Sequence, residues 1–119
     1  MTERGSAVVE FALVVPLMLL LVISIAEVAV VARTELELVH AAREGARQAA
    51  TSPDTARAAA AVRTALGTAG GDARIAVSRP SGVGEPATVR VRLRHRVAAP
   101  FMGGFTVELA ASSTMRTER

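Results

Sequence analysis

The chain has 119 residues, half of them hydrophobic, and a formal net charge of +3 at pH 7. This length fits one small unit rather than several domains. Cysteine is absent, which excludes disulfides, a cysteine-linked lipid anchor and thiolate metal sites, and the modest charge does not by itself require a polyanionic partner.

The large aliphatic residues are concentrated between Phe11 and Ala32. As a helix this segment would be about 33 Å long, which is enough to cross the hydrocarbon core of a membrane. Arg4 precedes it and Arg33 follows it, and the short N-terminal tail favours an orientation with the N-terminus inside. A secretory signal peptide is the alternative, but its apolar region usually has only about 7–15 residues.

A carboxylate, Glu10, stands at the start of this apolar run. Left unpaired near the membrane interior, it would cost about 2.5–3.5 kcal/mol. Arg4 lies on a different face of the helix. A cut between Gly5 and Ser6 would create an α-amino group one helical turn before Glu10. A neighbouring subunit could offer its own terminal amine equally well.

Three blocks of the sequence resemble a known family. They are GSAVVEFALVVPLMLLL from Gly5 onward, AAREGARQAA at Ala41–Ala50 and MRTE at Met115–Glu118. The first block resembles the type IV pilin processing signature, in which a Gly is followed by four small or apolar residues and then Glu. All three together resemble the TadE-like pseudopilins of tight-adherence (Flp) pilus systems.

This resemblance implies a membrane-inserted prepilin. A prepilin peptidase would cut it after Gly5, and Ser6 would become the new N-terminus. Glu10 would then neutralise the terminal amine of an adjacent subunit during assembly. The implied partners are the peptidase, other pilin and pseudopilin subunits, the pilus assembly machinery and membrane lipid, with the chain part of a homo- or hetero-oligomeric filament.

Beyond the apolar run, helix formers continue from Arg33 to Ala50 as a stalk. Spacings of three and four residues predict one packing face, formed by Leu36, Val39, Ala42, Ala46 and Ala49. Gly45 disfavours a helix by about 1 kcal/mol relative to Ala, which suggests that something packs closely against it. His40 is interpreted as a solvated residue rather than a ligand or a base.

A second helix is predicted from Pro53 to Leu66, with Ser52 as its N-cap and Gly67 as its stop. Its apolar stripe, which consists of Ala59, Val62 and Leu66, is narrow, so shallow packing is expected.

Alternating patterns then predict three short strands, at Ala73–Arg79, Ala87–Ala98 and Phe105–Arg116, with Pro100–Gly104 turning the chain. We expect an antiparallel sheet packed on the second helix and the stalk. The second strand places Arg90, Arg92, Arg94 and Arg96 on one face. This face is either a solvated surface, a site for polyanions or lipid headgroups, or a subunit contact. Without interleaved aromatic residues, nucleic acid is not favoured.

The sequence thus predicts an α+β protein with a leader at 1–5, a transmembrane and stalk helix at 6–50 and an extracytoplasmic head at 51–119. The expected role is that of a minor pilin or pseudopilin in the cytoplasmic membrane or in an extracellular filament. An uncleaved single-pass accessory protein of the assembly machinery and a polyanion-binding surface module are the alternatives. No catalytic residue, metal site or cofactor is predicted.

Overall fold

The computed structural model describes residues 3–97 and 103–117. The helices and strands are α1 (Glu3–Thr51), α2 (Thr55–Leu66), β1 (Arg74–Ser78), β2 (Pro86–Val97) and β3 (Phe105–Arg116), and a short 3-10 helix (Gly67–Gly71) follows α2. The predicted α+β class, with a long N-terminal helix, a second helix and a three-stranded antiparallel sheet, is confirmed. Ala98 and most of the predicted turn at 100–104 lie outside the described residues.

The apolar run and the stalk form one continuous helix, α1, of 49 residues. The helix passes through Pro16 without a break and is long and apolar enough to cross a membrane, judged by length and composition. Its most apolar 18-residue window buries none of its residues against the rest of the protein. Because α1 already begins at Glu3, residues 3–5 of the predicted leader are helical too, and the domain boundaries stay predictions.

The three strands form a sheet in the order β1-β2-β3, with both pairs antiparallel. In the centre of the register, Val91 of β2 lies between Ile75 of β1 and Ala111 of β3. The alternation in β2 is as predicted, because its apolar side chains face inward while its arginines are exposed. On β3, Leu109 is buried, whereas Phe105 and Met115 are 55% and 36% exposed although they lie on the inward face.

The sheet packs against the C-terminal half of α1, on a face that agrees with the predicted one at Ala42, Ala46 and Ala49 and differs from it at Leu36 and Val39. Leu36 is 69% exposed and Val39 is 37% exposed, whereas Leu38 is fully buried. The buried stripe consists of Leu38, Ala41, Ala42, Gly45, Ala46, Ala49 and Ala50. Leu36 with Val39, and Leu38 with Ala41 and Ala42, each fit helical spacing, so the spacing alone is compatible with more than one stripe. The stripe that packs is the one whose small side chains let other elements approach closely.

Gly45 is the point of closest approach between α1 and the rest of the head. A Cβ atom at this position would overlap the side chain of Val62 on α2 and lie 3.1 Å from Val89 Cγ1 on β2. Both valines are fully buried. The expectation that something packs closely against Gly45 is therefore confirmed, and α2 and the sheet meet there.

The start of α2 differs from the prediction. Asp54, not Ser52, is the N-cap, because its Oδ1 accepts a 2.9 Å hydrogen bond from the backbone N–H of Ala56. Ser52 instead accepts a 3.3 Å bond from the N–H of Asp54, and Pro53 lies before the helix. The buried stripe contains Ala58 rather than Ala59. With Val62 fully buried, α2 packs more deeply than predicted.

Two polar contacts tie the sheet to its surroundings at the end farthest from the N-terminus. The Arg79 Nε–H donates a 2.7 Å hydrogen bond to the carbonyl of Ala49. This carbonyl is one of the last in α1 and has no N–H donor within the helix. Thr117 is buried, and both its N–H and its hydroxyl donate to the carbonyl of Glu85. The C-terminal MRTE block thus contributes a contact that holds the β1–β2 connection.

We predict that Gly45→Ala destabilises the protein. The added methyl group must displace Val62 and Val89, which costs about 1–3 kcal/mol in a packed core and exceeds the gain in helix propensity of about 1 kcal/mol. Urea unfolding of the full chain in detergent micelles measures the difference. Gly71→Ala is the matched control, since a Cβ there meets nothing within 4 Å. A Gly45→Ala variant as stable as the parent would contradict this packing.

Candidate functional site

The predicted processing site and its acidic partner lie together at the start of α1. Gly5, Ser6 and Glu10 are all exposed. The Ser6 hydroxyl lies 3.3 Å from Glu10 Oε1, at hydrogen-bonding distance across one helical turn. The helix therefore places the carboxylate of Glu10 against residue 6, the residue that would carry a new terminal amine after a cut. That juxtaposition follows from the four-residue spacing.

Glu10 forms no ion pair within residues 3–97 and 103–117; the pairs there join other residues. The bond between Gly5 and Ser6 lies in the first turn of α1. Backbone N–H groups in the first turn of a helix lack intrahelical acceptors, and such ends fray. The local structure thus combines an accessible backbone with a carboxylate free to accept a cationic partner.

Hydroxyl side chains within the apolar run of α1 and just after it are satisfied by the helix itself. Ser24 Oγ donates a 2.8 Å bond to the carbonyl of Leu20, and Thr34 Oγ1 donates a 2.9 Å bond to the carbonyl of Val30. Such bonds to the preceding turn make a hydroxyl tolerable in a nonpolar environment. Placing Ser24 in a nonpolar environment therefore costs much less free energy than placing a charged side chain there.

The surface of α1 from residue 3 to residue 19 is exposed all round. Eight of the large side chains there leave roughly half or more of their surface uncovered: Val8, Val9, Phe11, Leu13, Val14, Leu17, Met18 and Leu19. Isolated in water such a surface is strongly unfavourable, at about 25 cal/mol for each Å² of apolar area. This part of the helix is suited to a lipid bilayer or to the apolar helices of neighbouring subunits.

The second candidate site is the outer face of the sheet, which we call the arginine face. Arg90, Arg92, Arg94 and Arg96 of β2 are all exposed on it, as predicted. The register adds two arginines that the sequence analysis did not assign to this face. Arg74 of β1 lies directly opposite Arg92, and Arg116 of β3 lies opposite Pro86.

Few acidic groups balance the arginine face. Glu108 of β3 is paired in register with Arg94, but its carboxylate lies nearest to Arg92, at 3.7 Å from Nε. Both side chains are more than half exposed, so this ion pair contributes little to stability. Arginines placed directly opposite each other, as Arg74 and Arg92 are, disfavour a sheet. The face retains a cationic surplus that an anionic partner would relieve.

The alternation in β1 indicates the direction of the Arg74 side chain. Arg74, Ala76 and Ser78 are exposed, whereas Ile75 and Val77 are half-buried. The strand pattern shows that Arg74 points outward. Only the register shows that it lies beside Arg92 rather than beside another residue of β2. Sequence reasoning could therefore find the direction of this side chain but not its neighbour.

The remaining titratable groups do not form a further site. His40 is exposed, as predicted. The Arg47 guanidinium donates a 2.9 Å hydrogen bond to Glu44 and holds the pKa of that carboxyl below its ordinary value. His95 faces inward, and its buried Nε2 has no hydrogen-bond partner among the described atoms. Within the described ranges, no three His, Asp or Glu residues cluster in a way that could hold a metal ion.

Comparison with known proteins gives one match. The family model described as TadE-like protein matches residues 5–47. No curated protein and no solved structure matches the chain.

The matched range contains the exposed apolar helix with Gly5, Ser6 and Glu10. It also contains the part of the small-residue stripe from Leu38 to Ala46, which packs against α2 and the sheet. The resemblance expected from the motifs is confirmed over this range. Residues 5–47 of the chain are thus similar to the TadE-like family.

Proposed function

We propose that this protein is a TadE-like minor pilin or pseudopilin that takes part in the assembly of a tight-adherence (type IV-like) pilus. The family match suggests a Tad pilus-related pseudopilin. The observation that carries the finer proposal is the contact between Ser6 and Glu10 at the start of an exposed apolar helix. A membrane-anchored pilus protein is consistent with both the helix and the match.

In this proposal α1 anchors the protein in the cytoplasmic membrane, with the N-terminus inside and the head outside. A prepilin peptidase removes residues 1–5, which requires only the first turn of α1 to open. No packed element opposes that opening, since residues 3–10 are exposed. The role of the chain is structural, and we propose no catalytic activity for it.

The carboxylate of Glu10 then pairs with a terminal amine. The helix places Glu10 beside residue 6 of its own chain, and the α-amino group of an adjacent subunit is the partner in assembly. In the nonpolar centre of a filament or a bilayer, a carboxylate and an ammonium group neutralise each other at close range, because Coulomb attraction strengthens as the dielectric constant falls. A terminal ammonium group without a carboxylate partner is correspondingly disfavoured there. The pair therefore favours the axial position in which the amine of one subunit meets Glu10 of the next.

An uncleaved single-pass accessory protein of the assembly machinery is the alternative within the same system. It differs by retaining residues 1–5 and by staying in the membrane. The α-amino group next to Glu10 would not exist, and the carboxylate would remain at the membrane surface as an ordinary polar end of the helix.

We predict that the mature protein begins at Ser6, as measured by mass spectrometry of the N-terminus of the natively expressed chain. Gly5→Val should retain the leader, because a β-branched side chain replaces the smallest residue at the cut and also stiffens the turn that must open. Ser6→Ala, which keeps a small residue after the cut, is the control and should still be processed. A wild-type start at Met1 would favour the uncleaved accessory protein, and a start near Arg33 would contradict the membrane span.

Glu10→Gln should leave processing intact but reduce incorporation into filaments by about tenfold or more, since an unpaired buried charge costs about 2–5 kcal/mol. The measurement is the fraction of protein in sheared surface filaments relative to membranes. Glu37→Gln is the matched control on the same helix, because Glu37 makes only an exposed ion pair with Arg33. Equal incorporation of the two variants would refute the pairing role of Glu10.

A second candidate function is polyanion binding by the arginine face, favoured by the placement of Arg74 opposite Arg92. Guanidinium groups bind phosphate and carboxylate groups in a bidentate way. Replacing Arg92 and Arg94 by Ser should abolish salt-sensitive retention of the detergent-solubilised protein on immobilised heparin, whereas Arg33→Ser plus Arg43→Ser on α1 should not. Unchanged retention of the first variant would remove this function.

A further inference from the structure

An apolar cavity of about 690 Å³ separates α1 from one end of the sheet. Its helical wall runs from Leu20 to Glu35, and its other wall is formed by Val97 of β2 and by Phe105 and Val107 of β3. We call these last residues of β2 and first residues of β3 the hairpin end. Phe105 points to the inward side of the sheet but remains 55% exposed. Among residues 3–97 and 103–117, no side chain fills the cavity, so both walls keep apolar surface uncovered.

The length of the bare part of α1 shows where this cavity lies relative to a membrane. Residues 3–19 are exposed all round, and Leu20 is the first residue that the rest of the protein partly covers. From Gly5 to Leu19 the helix is about 22 Å long at 1.5 Å per residue. The hydrocarbon core of a bilayer is about 30 Å thick. The bare segment is too short to cross it, and tilting the helix makes the deficit larger.

The hydrocarbon must therefore extend along α1 into the segment beside the hairpin end. A span of about 20 residues that begins between Gly5 and Phe11 ends between Ser24 and Val30. Ser24, Glu27 and Val28 line the cavity within these limits. The outer boundary of the membrane thus falls at the level of Val97, Phe105 and Val107, not below the head.

The chemistry of the hairpin end fits this position. Val97, Phe105 and Val107 are apolar and face inward beside His95, whereas Arg94 and Arg96 project from the outer face. These two arginines line an open cleft of about 530 Å³ together with Thr106 and Glu108. Arginine side chains lay their aliphatic part along apolar surface while the guanidinium reaches the polar boundary, where it matches the geometry of a phosphate.

We propose that the hairpin end is a second membrane contact, in which Val97 and Phe105 enter the boundary of the outer leaflet and Arg94 and Arg96 bind lipid phosphate groups. This inference rests on the membrane anchoring that forms part of the proposed function. Lipid acyl chains, rather than a protein partner, fill the cavity between α1 and the sheet. The head is then held against the membrane on its side instead of being raised on a free stalk.

The absence of cysteine allows a direct test with single nitroxide labels on the full chain in phosphatidylethanolamine–phosphatidylglycerol vesicles. The labelled variants are Leu17→Cys in the bare helix, Phe105→Cys at the hairpin end and Ser112→Cys farther along β3 on the exposed face. Collision of each label with oxygen, which concentrates in lipid, and with a water-soluble nickel chelate gives its depth in the bilayer.

We expect the label at residue 105 to lie about 5–10 Å inside the headgroup boundary, that at residue 17 to lie deeper and that at residue 112 to be in water. A label at 105 as accessible to nickel as that at 112, with 17 deep in lipid, would overturn the hairpin contact and leave the anchor intact. Accessibility of residue 17 to nickel would overturn both. A label at 105 shielded from both reagents would indicate a second protein copy in the cavity and also overturn the proposal.

The contribution of the arginines is tested by a matched pair of substitutions in the Phe105→Cys background. Arg96→Ser, at the hairpin end, should move the label at 105 toward water. Arg90→Ser also removes an exposed guanidinium of the same strand, but one that lies opposite Ser112, and should leave the depth unchanged. Equal effects of the two substitutions would exclude a specific role for the hairpin end.

Discussion

The close approach of α1, α2 and β2 at Gly45 is the contact on which the rest of the head depends. The head has few large apolar residues. Among the described residues, its largest fully buried side chains are Leu38, Val62, Val89 and Val91. A core this small gains little from area alone. It holds together because a stripe of Ala and Gly lets the backbones come close, so that dispersion contacts are dense although each side chain is small.

That packing mode explains how one helix can serve two environments. The N-terminal part of α1 carries large aliphatic side chains on every side and packs against none of the other described elements. The C-terminal part carries small side chains on one face and supports the head. Between them, from Leu20 to Glu35, the helix borders the apolar cavity. The change from an exposed apolar helix to a helix packed against the head is therefore gradual. As a result, the sheet extends alongside a part of α1 whose surface is still apolar.

Electrostatics act mainly at the surfaces of this molecule. The side chains that make ion pairs with each other are mostly exposed and contribute little to stability. The unbalanced charges are more informative. Glu10 lies on an apolar helix and has no cationic partner in the part of the chain that the structure describes. The arginine face gathers cations from all three strands. In the functions proposed above, a terminal amine pairs with Glu10 and phosphate groups bind the arginine face.

The sequence by itself determined the elements of this protein and the direction of most side chains. These conclusions follow from local patterns, which relate residues close together in the chain. The patterns are the apolar run, the two-residue period of β2 and the five-residue distance from Gly5 to Glu10. Tertiary structure decided which helical stripe is buried, since Leu36 and Leu38 fit helical spacing equally well and only the sheet and α2 distinguish them. It also decided that Arg74 faces Arg92 and that the hairpin end lies beside the membrane-length part of α1. These features depend on register and on the position of one element along another, and such long-range relations leave no periodic trace in a single chain.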